Sequence, residues 1–278
     1  MLADDQIEGW TMSINRRIDQ AREAHARRDL KASAKAHSRK AIAEAIEQHG
    51  GASHQYIGDM VYGGLDGIVT TFAIVSGVAG ASLGAGVVLI LGLANLLADG
   101  LSMAAGAYLS SKSEREYYER ERERELWEIE HFPEGERAEM VEIYQRKGYS
   151  AEDAQRLIDI HSQDQDLWLE EMMVQELGML PDERKPILSA LATLGAFIIA
   201  GAVPLLVYLS GLLVTVPEGM AFPIAIVLSA SAMFGLGAAK VFVTERNWVR
   251  SGLEMLLVGG LAAGVAYLVG YLLQGMGG

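Results

Sequence analysis

The sequence predicts an all-α polytopic membrane protein, with five transmembrane helices per subunit and a cytosolic three-helix insertion. Three observations carry this. Apolar residues gather in five runs, near 61–80, 85–109, 187–213, 221–243 and 253–274, each close to the ~20 residues that cross about 30 Å of hydrocarbon. Charge is segregated: residues 110–186 hold 22 of the 36 acids and 11 of the 23 bases, a local charge of -11 within a total of -13. Half the residues are hydrophobic and mean hydropathy is +0.18, rich for a soluble chain of 278 residues. The organisation that follows is a polar helical extension over 1–55, spans one and two over 56–111, the insertion over 112–183, and spans three to five over 184–278.

Residues 3–49 read as helical but not spanning, rich in alanine and long helix formers and ending at Gly50-Gly51. Nine bases nearly cancel eight acids before Gly50, so the extension is a weak nucleic-acid binder and no nucleic-acid partner is expected. It is too charged for a cleaved signal peptide. The absence of cysteine excludes disulfides, thiolate metal sites and thiol nucleophiles.

The first span, YIGDMVYGGLDGIVTTFAIVSGVAG, is unusually polar. Asp66 lies about two turns inside, where a carboxylate is expensive unless it faces protein, cation or water. Gly63 and Gly67 let a neighbouring backbone approach. Asp59, one heptad earlier, shares roughly that face nearer the interface and is an auxiliary candidate. After the short link 81–84, the second span places Asn95, Asp99 and Met103 at four-residue intervals on one stripe. Counting ~1.5 Å per residue from the shared membrane side, Asp66 and Met103 reach one depth. A carboxylate beside a thioether favours a borderline transition ion over magnesium or calcium.

The insertion is expected to contain helices over 112–131, extending from the second span, 134–147 and 151–178, broken at Phe132-Pro133 and closed at Gly178. Glu125 and Glu128 are three apart on the first, Glu136 and Glu139 repeat the spacing on the second, and Met172, Met173 and Glu176 stripe the third. Convergence of these stripes would make a cation site, with sulfur biasing it toward iron(II)-like ions. Taken singly, the same acids also fit a solvated helix, because Glu114, Glu116, Glu119, Glu121, Glu123 and Glu130 are interleaved with arginines. Glu128 and His131 have the Glu-x-x-His spacing of di-iron bundles, but no second copy follows, so His131 is an auxiliary candidate.

Gly201 and Pro204 interrupt the third span. Gly260 and Gly264 suggest close packing of the fifth, and Glu254 can pair with Arg250 one turn away. Basic residues occur in the N-terminal segment, the insertion and the 240–250 link, and not at 81–84 or 211–219. The positive-inside rule therefore places the N-terminus and residues 112–183 in the cytosol and the C-terminus on the opposite side, with a bacterial inner membrane as the expected host.

YGGLDGIVTTFAIVSG, NLLADGLSMAAGAYLSSKSE and WLEEMMVQELG, in this order around a charged insertion, resemble the vacuolar iron transporter family over roughly residues 56–275. The resemblance implies a homodimer with a path at its interface and proton-coupled export of Fe(II) from the cytosol, with Mn(II), Co(II) or Zn(II) as related cargo. It implies a path through Asp66 and Met103, with cytosolic metal binding by Glu125, Glu128, Glu136, Glu139, Met172, Met173 and Glu176. No tightly held cofactor and no enzymatic activity are expected; the partners are metal ions, protons and lipid. Two positions depart from the family's pattern: Gln175 precedes Glu176 where a second glutamate is common, and Ala107 stands where many relatives carry glutamate. The alternatives are a membrane-bound di-iron ferroxidase and a metal-sensing membrane protein without transport.

Overall fold

The computed structural model describes residues 20–21, 23–38, 56–182, 184–217, 219–239 and 247–275. They divide into two units, Met1–Gln55 and Tyr56–Gly278. In the first, helix α1 (Leu30–Ala36) starts at Asp29, whose carboxylate accepts from the backbone N–H groups of Lys31 and Ala32. The helical reading of 3–49 is therefore broken at Arg28, whose φ is +51°, and its remaining residues lie outside those described.

The second unit is helical throughout its described elements. Its helices are α2 (Ile57–Gly80), α3 (Ala85–His131), α4 (Pro133–Arg146), α5 (Ala151–His161), α6 (Gln165–Gln175), α7 (Pro186–Ala202), α8 (Leu206–Ser210), α9 (Ala221–Ala239) and α10 (Trp248–Leu272). Five of these are long and apolar enough to cross a membrane, counting α7 and α8 together. The expected interruption of the third span is a 3-10 turn at Val203–Leu205, where Pro204 has no N–H to continue the ladder.

Helix α2 is the centre of the bundle, packed against α7, α10, α3 and α9. Half of its apolar window is buried within the chain, against 11% for α10, so the outer helices turn most of their apolar surface outward. Glycine permits the closest approach. A Cβ on Gly63 would stand 2.5 Å from the Thr193 carbonyl oxygen, and one on Gly67 would collide with the Phe197 carbonyl. Gly67→Ala should therefore lower the unfolding temperature in detergent by a cost of about 1–3 kcal/mol. Gly260→Ala, with nothing within 4 Å of the new methyl, should leave it unchanged; equal effects would refute this account of the α2–α7 contact. The expected packing role of Gly260 and Gly264 is not met inside the chain. The close-packed face of α10 runs through Gly252, Gly259 and Gly270 instead.

The insertion has its first two expected helices, the first continuous with the second span as expected, and differs in the third, which is split in two. Helix α3 runs unbroken for 47 residues from the membrane into the insertion, about 70 Å at ~1.5 Å per residue. The expected 151–178 helix is two, because Asp164 caps a new start by accepting from Asp166 and Leu167 N–H after the polar turn Ser162-Gln163. Ile129, Met140, Ile143, Ile158, Trp168 and Leu169 are among the residues that close an apolar core between α3, α4, α5 and α6. The expected Arg250–Glu254 pair is present at 3.3 Å, while Lys240, Glu245 and Arg246 lie outside the described residues.

Candidate metal centre and membrane path

Three helix ends meet above the insertion core. Glu125 projects from the last turns of α3, Glu136 from the first turn of α4 behind Pro133, and Glu176 caps the C-terminus of α6. One carboxylate oxygen from each lies within 4.8 Å of the others. Glu125 is fully buried and Glu136 nearly so, at 9% exposure. Both Glu125 oxygens and Oε2 of Glu176 lack a hydrogen-bond partner. Arg124 forms an ion pair with Glu125, but without the alignment of a hydrogen bond; it also pairs with Glu121 and Glu128.

Buried carboxylates crowded against one another are costly when ionised. Burial is the first cause that pushes Glu125, Glu136 and Glu176 each up to about 7. Neighbouring carboxylates add to the rise, Glu128 and Glu139 among them, and Arg124 opposes it. A divalent cation held there would relieve the repulsion and give the unpartnered oxygens of Glu125 and Glu176 a partner. The donor set is oxygen-rich, suited to hard and borderline divalent ions.

The other expected ligands take different places. Glu128 is half-buried and held by Arg124, and Glu139 is exposed; both are near enough to act electrostatically on the central three. Met172 and Met173 are buried in the apolar core, at 0% and 1% exposure. His131 is exposed, stacked on Trp127 and within 2.8 Å of that residue's carbonyl through Nδ1. It is not in the three-carboxylate group.

In the membrane-spanning part, Asp66 on α2 and Asp99 on α3 are close enough for their charges to interact. Both are half-buried, as is Asn95, whose Nδ2 has no partner. Met103 and Asp59 line a cavity of about 370 Å³ between α2, α3 and α7. Asp66 is not part of its lining, so Asp59 is the aspartate that shares this space with Met103. Arg184 stands at the cavity with its guanidinium on both Asp182 oxygens and on Glu114. Sequence reasoning missed Arg124, Arg184, Ser111 and Ser189 at these two places. Arg124 had a signal in its i+4 spacing to Glu128; the serines had none.

Five apolar helices and an acidic insertion with a buried carboxylate cluster define an integral membrane protein with a candidate cation site in its appendage. The chain belongs to the VIT family, whose model matches residues 57–271. It is 41% identical over 277 residues to a vacuolar iron transporter of Toxoplasma gondii, covering 96% of this chain and 92% of that protein. It is 32% identical over 274 residues to the vacuolar iron transporter of Plasmodium falciparum, covering 94% and 98%. Vacuolar iron transporter 1 of Arabidopsis thaliana is 32% identical over 222 residues, covering 79% and 87%.

Proposed function

We propose that this chain carries iron(II) across a membrane in exchange for protons, moving it out of the cytosol, with manganese(II) and related divalent ions as secondary cargo. The observation that carries the reading is the Glu125, Glu136 and Glu176 cluster, three mutually close carboxylates, of which Glu125 and Glu176 have oxygens without a hydrogen-bond partner, on a chain of five spans. The names of the relatives support iron as the cargo. Glu128 and Glu139 strengthen the negative field around the cluster, which draws in the hydrated ion. Met172 and Met173 anchor the helix that presents Glu176, and sulfur from this stripe would enter the ligand set if the core opens on loading.

From the insertion the ion passes Asp59 and Met103 to Asp66 and Asp99, with Asn95 as a deeper contact. A divalent ion between the two aspartates and a proton on either relieve the same repulsion, so cargo and proton exchange at one place. The arrangement of basic residues supports a cytosolic insertion, whether the membrane is a bacterial inner membrane or a vacuolar one. The apolar surface of α3, with Leu93, Leu97 and Leu101 exposed, supports a second copy packed there and a path at the interface.

The test is ion flux into vesicles holding the full chain, for Fe(II), Mn(II), Co(II) and Zn(II), with and without a proton gradient. Iron(II) flux should rise severalfold with the gradient. Rapid oxidation of iron(II) by oxygen without vesicular flux would instead indicate a ferroxidase. Tight binding without flux under any gradient would indicate a sensor.

A further inference from the structure

Between the insertion and Asp66 lies the cavity of about 370 Å³ that Asp59, Met103, Ser111, Glu114, Arg184 and Ser189 help to line. Three polar groups on it have no protein partner: the hydroxyls of Ser111 and Ser189, whose residues are only 4% and 1% exposed, and Oδ2 of Asp59. Buried hydroxyls and carboxylates are ordinarily hydrogen-bonded, and three unpartnered on one cavity mark a place built for a ligand. The ligand chemistry follows from the donors. The hydroxyls are neutral, Met103 offers one soft sulfur, and Glu114 is occupied by Arg184 at 2.9 Å. That leaves Asp59 as the free carboxylate, too few anions to strip a divalent ion of its water. A hydrated cation turns its water protons outward and is recognised by acceptors, which Asp59 and the two serines supply. Six waters at ~30 Å³ each occupy roughly 180 Å³, which the cavity accommodates.

We propose that this cavity is an antechamber that holds the divalent ion with its hydration shell intact, and that Arg184 is the resident counter-cation the ion displaces. The inference rests on the transport reading. Arg184 is held at the chamber from two sides, since its Nε meets both Asp182 oxygens at 3.0 Å and Arg115 donates to its carbonyl at 2.7 Å. In the empty chamber its single charge meets Asp182 and Glu114 directly and acts on Asp59 at longer range. When the ion enters, its two charges take over that role and repel the guanidinium toward Asp182. Removing the water is left to the deeper aspartates.

Hexaamminecobalt(III) tests this, because its ligands are inert and its N–H groups point outward as those of a hydrated ion do. Calorimetry on the full chain in detergent should show a class of sites for it that Ser111→Ala with Ser189→Ala weakens about tenfold, from two lost acceptors at ~0.5–1.5 kcal/mol each. Arg184→Gln should tighten the same class severalfold. Opposite shifts are not the pattern of a merely structural perturbation, and the serine changes remove hydroxyls on which no protein partner depends. In vesicles the complex should block iron(II) flux competitively. Unchanged binding in the serine variant, or weaker binding in Arg184→Gln, would overturn the antechamber. Absence of iron(II) flux in the unaltered chain would instead overturn the transport reading, since ammine binding is measured separately.

Discussion

Asp66→Asn should abolish iron(II) flux in reconstituted vesicles while leaving iron(II) binding by the insertion intact. Asparagine keeps the size of the side chain and its place on α2, so the packing of Gly63 and Gly67 against α7 is retained. The Thr70 hydroxyl donates to the Asp66 backbone carbonyl at 2.8 Å and is not disturbed. What disappears is the negative charge opposite Asp99. A dication entering a low-dielectric span needs such a charge, since a charge left uncompensated at that depth costs about 2.5–3.5 kcal/mol, on the order of a hundredfold in rate. Asp59→Asn should cost less, because Asp59 lies nearer the membrane surface where water substitutes for it. Flux of Asp66→Asn within a factor of two of the unaltered chain would remove Asp66 from the path.

Much of this was legible in the sequence because the membrane restricts the available structures. Apolar runs of spanning length must be helices, since hydrocarbon offers no partner to an unpaired peptide group. Gly63 and Gly67 could be read as a backbone contact for the same reason, and Pro204 as a break. The insertion was less legible. Glu125, Glu128, Glu136 and Glu139 look alike in a helical pattern, yet tertiary packing buries the first and third and leaves Glu139 exposed. The break at Asp164 was hidden because 151–178 is dense in good helix formers, and one capping carboxylate outweighs that preference. Gly260 and Gly264 show the converse: their spacing signals packing, but the face that packs is set by the neighbours, one residue away at Gly259. Ser111, Ser189 and Arg184 gave no pattern because they reach one cavity from α3, α7 and the segment before α7.

The carboxylate cluster should give the metal-free chain an inverted pH response. Glu125, Glu136 and Glu176 have folded values near 7 against an ordinary 4.5, with burial as the first cause. For an acid raised on folding, the native state binds more protons than the unfolded state between those values, so stability falls as pH rises. The contribution is fully present below about 4.5 and is lost as pH passes through about 7. Hydrogen exchange over residues 133–176 should therefore be faster at pH 8 than at pH 6 after correction for intrinsic rates, with the spanning helices unaffected. Iron(II) or manganese(II) at pH 8 should restore protection, because the cation replaces the protons. Binding itself should tighten between pH 6 and 8, about tenfold over that range for each proton the ion displaces from a group near 7. Changing Glu125, Glu136 and Glu176 together to Gln should remove both effects, leaving an insertion that is stable at pH 8 and indifferent to the ion. If protection in the metal-free chain instead rises from pH 6 to 8, the three carboxylates are not held together as neutral acids, and the cluster is not the ion's first binding place.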